Sequence, residues 1–262
     1  MIDDGSYRDS LFTVENNLKP LIMKKLSVII LVFAIICKTT LLDAQNSKLT
    51  KVYDEATKLS MIADSTKNID TLMTLTSANP VLKWKTIHGK AYVLMASFTS
   101  YLKGYPVGDS TTTTREVWLF IPGQMQYRLR SKMTPKTDTV LKLNEMLGLP
   151  PVSGDTHIAQ FWVQVDNVFR PAGSPDVTVP KASGTLSLNA SPEYKLWFNN
   201  YIITSYFQPL TGTQVYYPWT RMGYTYNWAP GSNRVGVSEF VLNANSGIWV
   251  EAVIKASDYF KK

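Results

Sequence analysis

Sulfur and imidazole are nearly missing from this chain: of 262 residues, one is cysteine, Cys37, and two are histidine, His88 and His157. Everything after Ala44 is free of cysteine. That excludes a disulfide framework and thiol catalysis there, and stability must come from packing alone. With no cysteine and two histidines, a structural zinc site is excluded too, and no metal is expected. There is no Gly-rich phosphate loop, no HExxH, no CxxC and no Gly-x-Ser-x-Gly elbow. The usual nucleotide, metalloprotease, redox and hydrolase signatures therefore give no lead, and no cofactor is implied. A Ser-His-carboxylate triad would have to use His88, in a Thr-Ile-His-Gly turn, or His157, just ahead of a strand. Both positions suit an ordinary turn or surface histidine.

A long apolar run is also lacking. The most apolar stretch, Leu26 to Ile36, has 11 residues. As a helix it rises about 16 Å, against a hydrocarbon core of about 30 Å, so no stable transmembrane anchor is expected. Lys24 and Lys25 precede it, and a more polar stretch, Cys37 to Asp43, leads to Ala44 and Gln45. Basic start, short apolar core and small residue at the cut are the parts of a secretory signal peptide. Residues 23–44 are expected to be removed between Ala44 and Gln45, leaving a secreted or periplasmic protein. Lipoprotein processing at Cys37 is the weaker alternative, because Ile36 stands where that processing needs a small residue. Residues 1–22 show no period and fit a start codon assigned too early, with Met23 the true first residue.

The formal net charge is +7. Residues 1–44 balance, so the excess sits on residues 45–262. Such a balance invites an anionic partner: lipid, wall polymer or nucleic acid. The charges are scattered, however, and the densest group, Arg128, Arg130, Lys132 and Lys136, fits a solvated edge. A glycan or anionic ligand is the expected partner class, with no specific nucleic acid.

Along residues 45–262 the periods change repeatedly. Leu49, Val52, Tyr53, Ala56, Leu59 and Ala63 mark a helix over 49–64, and Ile69, Leu72 and Met73 a weaker one. Residues 81–87, 91–99 and 116–121 are β-branched and aromatic and predict strands, with His88-Gly89 turning the first into the second and Pro122-Gly123 closing the third. Asp138 opens a short helix that Gly148 and Pro150-Pro151 stop. Residues 158–165 predict a strand, and 170–190 have no period. Ser191 as cap, Pro192 in the first helical position and Glu193 near the positive end of the dipole predict a helix whose broad face is aromatic. Residues 235–242 and 248–255 predict a terminal hairpin. The expected architecture is a single α+β domain over 45–262, with a mostly antiparallel sheet of about five to six strands and two to three packing helices.

Two features carry chemistry. The segment Tyr216 to Trp228 holds six aromatic residues in thirteen. Its Trp219, Tyr224, Tyr226 and Trp228 can stack on sugar or base faces, and Arg221 adds a planar cation, so these five are the candidate ligand-binding residues. The competing reading is a loop pinned to the sheet by buried rings. Ligand stacking requires at least two of the rings to keep a face open. The second feature is Glu239, a carboxylate in the middle of an apolar strand, on the face of Val235, Val237 and Val241. Buried there, it needs a cation, several donors or a raised pKa. Arg221 and Arg234 are the nearby cations, and a structural salt bridge is the expected arrangement. Glu239 is also the candidate catalytic residue. Glu251 on the next strand is a possible second carboxylate, and Asp166 with Arg170 a third polar group. The leading function is a non-enzymatic exported binding module for a glycan or wall-type ligand. One alternative is a small secreted enzyme of hydrolase or glycosyl/ADP-ribosyl transferase type built on Glu239. The other is a structural or protein-docking domain.

Overall fold

The structure, a computed structural model, describes residues 44–212 and 214–261. The expected signal peptide up to Asp43, and the segment before it, lie outside the described residues. The chain divides into two units, Met1–Leu49 and Thr50–Lys262. Among the described residues the first unit holds only the helical residues 44–49, and the second holds every sheet.

Helix α1 covers residues 44–60 and a 3-10 turn follows at Ser65–Lys67, so the predicted stripe ends four residues early. The weaker helix expected near Ile69 does not form. Instead Leu72 and Leu75 are buried in extended chain, their N–H groups donating to the carbonyls of Pro180 and Val177. Strands β1 (Trp84–Ile87) and β2 (Lys90–Thr99) make the predicted hairpin, with Ile87 opposite Lys90. His88 and Gly89 have φ of 49° and 76°, the pair of positive values that a two-residue hairpin turn of matching twist needs. The polar loop after residue 109 contributes a short strand β3 (Ser110–Thr112), and β4 is Val117–Leu119. Pro122 does not merely end that strand. It opens helix α2 (Pro122–Leu129), which carries Arg128 and leads into a 3-10 turn at Arg130–Lys132.

Helix α3 (Thr139–Leu147) is capped as its sequence predicts: Asp138 accepts from the N–H of Leu141, and Gly148 closes the helix at φ 70°. Strands β5 (His157–Val163) and β6 (Val168–Phe169) follow. Helix α4 (Pro192–Tyr206) begins where expected, with Ser191 accepting from the N–H of Tyr194. Strands β7 (Tyr224–Tyr226), β8 (Val235–Ser238), β9 (Phe240–Leu242) and β10 (Gly247–Lys255) precede a last turn of helix, α5 (Ala256–Tyr259).

The fold class is α+β with antiparallel sheets. The main sheet has five strands in the order β1-β2-β5-β10-β3, beside a three-stranded sheet β4-β9-β6 and a pair β7-β8. The predicted terminal hairpin is not formed: β9 pairs with β4 and β6, whereas β10 pairs with β5 and β3. Non-local pairing has overridden the turn between them. Side chains alternate across the main sheet. Val93, Met95, Phe161 and Val163 meet Val117, Leu119, Phe240 and Leu242 of the three-stranded sheet, while Tyr92, Leu94 and Trp162 cover the other face. Helices α2, α3 and α5 pack Met125, Leu143 and Tyr259 on Phe98, Phe120 and Ile158 at one end. Each fully buried aliphatic or phenyl side chain here contributes about 1.5–3 kcal/mol.

Helix α4 carries its rings to one place. Trp197, Phe198 and Tyr201 gather around Trp219, with centroid distances of 5.9, 5.2 and 5.2 Å, and Trp118 of β4 lies 5.1 Å from Tyr201. The irregular stretch after β6 is organised by Arg170, which is completely buried. Its guanidinium donates to the carbonyls of Met73, Asp176 and Val179 and lies 5.0 Å from the Phe240 ring. Burial pulls its pKa down to about 10. Asp166 is exposed, so the expected Asp166–Arg170 polar group is not one unit.

Candidate functional site

A cavity of about 670 Å³ opens among β2, β4, α3, α4 and the segment 216–228. Phe98 and Thr99 enter from the end of β2, Trp118 from β4, Gly148 and Leu149 from the end of α3, and Tyr201 from α4. Tyr217, Trp219 and Tyr226 come from the aromatic segment, and Glu239 completes the lining.

The position of Glu239 follows from a break in a strand. Residues 235–242 were expected to run as one strand, but β8 belongs to one sheet and β9 to another, and Glu239 is the residue between them. Its N–H donates to the carbonyl of Gly223 at 3.0 Å. The residue before it is locked from two sides: Gln124 Oε1 accepts from the N–H of Ser238, and Ser238 Oγ accepts from the N–H of Met73.

Glu239 is 8 % exposed, and its carboxyl Oε2 has no hydrogen-bond partner. Among the described residues no cation pairs with it, so the expected salt bridge is absent. Arg221 is turned elsewhere: it donates to the carbonyl of Met61 and lies 5.6 Å from the Tyr206 ring. Arg234 donates to the carbonyl of Trp228 and lies 6.0 Å from Tyr226. With nothing to stabilise its anion, burial pushes the Glu239 pKa up to about 8. At neutral pH this carboxyl is mostly a neutral acid.

The fold treats its other deeply buried charges differently. Glu145, 3 % exposed, is paired with Lys142 at 2.6 Å, and Arg170 has three carbonyl acceptors. Arg170 Nη1 lacks a partner as Glu239 Oε2 does, but the rest of that guanidinium is hydrogen-bonded.

The remaining charged groups on the cavity wall are Arg115, Glu116 and Asp155. Glu116 Oε2 accepts from Trp197 Nε1 at 3.0 Å, and Arg115 lies 5.7 Å from the Tyr101 ring. The Asp155 pKa is raised by partial burial, opposed by hydrogen bonds from Ser100 and by Arg115. The Tyr201 hydroxyl is held far above its ordinary pKa, first by burial and then by the nearby Glu239 carboxyl. Tyr206 is pushed up to about 12, chiefly by burial.

The aromatic segment is pinned rather than free. Trp219, Tyr224, Tyr226 and Trp228 are 4, 5, 7 and 0 % exposed. Trp219 Nε1 donates to the carbonyl of Pro171, Tyr224 Oη to that of Lys67, and Trp228 Nε1 to that of Leu149. The segment therefore presents no open platform of rings. Trp219 and Tyr226 border the cavity, together with Tyr217, which is 45 % exposed. Tyr224 and Tyr226 also border a smaller cavity of about 370 Å³ near Lys67 and Arg234. Trp228 is pure core, edge-on to Tyr53 at 5.9 Å.

The other candidates lie elsewhere. Glu251 sits at a bulge in β10, where its Oε2 accepts from Trp162 Nε1 at 2.6 Å and reaches Lys85 at 4.0 Å, so it does not face Glu239. Neither His88 nor His157 lines the cavity. Among the described residues no cluster of three or more His, Cys, Asp and Glu could hold a metal, and no helix is long and apolar enough to cross a membrane. Sequence reasoning missed Trp118, Tyr201 and Asp155 as cavity residues. The first two carried only a core-packing signal, and Asp155 none. Compared with protein-family models, curated proteins and solved structures, the chain matches none.

Proposed function

We propose that this chain is an exported binding module whose ligand site is the cavity around Glu239, with a saccharide-type ligand. The observation that carries the reading is a buried carboxyl with an unpartnered oxygen, Glu239 Oε2, on a cavity wall rich in aromatic rings. Tryptophan and tyrosine rings take the C–H face of a sugar ring, while a carboxylic acid meets its hydroxyls; the Trp219 N–H is already given to the carbonyl of Pro171. A volume of about 670 Å³ falls within the about 300–1,000 Å³ typical of small-molecule sites. The apolar-core segment behind Lys24 and Lys25 supports export, with Gln45 as the new N-terminus.

The test is a glycan-binding screen on the purified protein beside its Glu239→Gln and Trp118→Ala variants. A saccharide that binds the parent protein, and binds both variants more weakly, supports the reading. Absence of any saccharide ligand sinks it. N-terminal sequencing of secreted material should begin at Gln45; secreted material that keeps residues 23–44 contradicts export by cleavage.

A second reading is favoured by one observation: a second carboxyl, the half-buried Asp155, lines the same cavity. Two carboxyl groups in different surroundings are what acid–base glycoside cleavage uses, one protonated and one ionised at working pH. Under that reading Glu239 is the acid, and Glu239→Gln abolishes turnover of activated glycosides while binding survives.

A further inference from the structure

The missing partner of Glu239 points to the charge of the ligand. The cavity wall carries one cation, Arg115, against two carboxyl groups, Glu116 and Asp155, besides the protonated Glu239, although the chain as a whole is basic. An anionic ligand would enter a locally acidic site. Glu116 and Asp155 are already engaged, by Trp197 and Ser100. Glu239 Oε2 has no partner; Arg170 Nη1 and Arg221 Nε share that state, but the other nitrogens of those guanidinium groups donate to carbonyls, and neither group lines this cavity. Aromatic walls attract cations through the negative faces of their rings, and Trp118, Tyr201 and Trp219 stand together in this wall, Trp118 and Trp219 each about 5 Å from Tyr201.

From the unpaired Glu239 oxygen, the acidic surplus of the wall and the clustered rings, we infer that the ligand is an amino sugar carrying a free ammonium group, which pairs with Glu239 while its ring lies on the aromatic wall. The inference rests on the binding reading above and narrows it. On binding, the carboxyl gives its proton to solvent and the resulting carboxylate pairs with the ammonium; no covalent bond changes. The groups facing Glu239 that can modify this exchange are Tyr201 and Tyr206 on α4, with Arg115, Glu116 and Asp155 on the surrounding wall. The tyrosines stay neutral throughout the neutral range, since burial raises both.

The experiment is calorimetric titration with glucosamine oligomers, N-acetylglucosamine oligomers of equal length and choline, run near neutral pH in two buffers of different ionisation heat. A charge-assisted hydrogen bond to a buried carboxylate predicts that the free amine binds about ten- to a hundredfold more tightly than its acetylated counterpart. Its apparent heat should depend on the buffer, reporting proton release. Glu239→Gln should erase both the preference and the buffer dependence. Equal affinity for both oligomers, unchanged in Glu239→Gln, overturns the ammonium assignment while the saccharide-binding reading stands. Binding of choline without the amino sugar overturns the assignment as well. If no saccharide binds, the binding reading falls, and this inference with it.

Discussion

Replacing Glu239 by glutamine should stabilise the protein, and by an amount that grows with pH. In the folded chain the carboxyl titrates near 8; in an unfolded chain it returns to the ordinary 4.5. Between those two values the folded state holds a proton that the unfolded state has lost. Stability then falls as pH rises, starting near 4.5 and levelling off above 8. At about 1.36 kcal/mol per pKa unit, the whole loss is about 5 kcal/mol, with about 3 kcal/mol of it already present at pH 7. Glutamine has the same shape and cannot ionise, so the variant lacks this slope. All other titrating groups contribute equally to the two proteins and cancel in the difference. Urea unfolding of both proteins, followed from about pH 5 to about pH 9, measures it directly. The variant should match the parent at the acid end and exceed it by several kcal/mol at the alkaline end. A difference that does not change with pH would refute the reasoning, because it would mean that Glu239 ionises as an ordinary carboxylate.

Other perturbations separate packing from binding. Trp228→Ala removes a fully buried indole that touches Tyr53 and donates to the carbonyl of Leu149; it should cost about 3–5 kcal/mol in chemical denaturation. Asp138→Ala deletes the side-chain acceptor at the start of α3 and should cost about 1 kcal/mol by the same assay, with ligand affinity unchanged. Gly236→Ala would drive a methyl group against Thr225 Oγ1 and the carbonyl of Met146, where β7 and β8 meet α3; a loss of about 1–3 kcal/mol is expected in thermal unfolding.

What could be read from the sequence was what neighbouring residues decide. Asp138 and Gly148 bracket α3, Ser191-Pro192 opens α4, and His88-Gly89 turns a hairpin, because caps and tight turns are settled within a few residues. Helix α2 escaped because its N-cap, Ile121, makes no side-chain bond, and Pro122 serves equally to end a strand or to begin a helix. The C-terminal strands misled for a different reason: their partners β4, β5 and β6 are far away in sequence, and only the assembled sheets reveal which edge each strand fills. The site divides along the same line. Glu239 was visible as one charge among valines. Its neighbours Trp118, Asp155, Tyr201 and Tyr217 come from separate segments, and each alone resembles ordinary core or loop. Its lack of a cation was invisible too, since Arg221 and Arg234 are near in sequence yet spend their guanidinium groups on carbonyls and rings.

The most direct measurement is a carbon-13 NMR titration of the Glu239 side-chain carboxyl, assigned by comparison with Glu239→Gln and repeated with a saturating glucosamine oligomer. The account predicts a midpoint near 8 for the protein alone, moving to lower pH when the amine-bearing ligand is bound. A midpoint in the ordinary carboxylate range, unmoved by ligand, would contradict it.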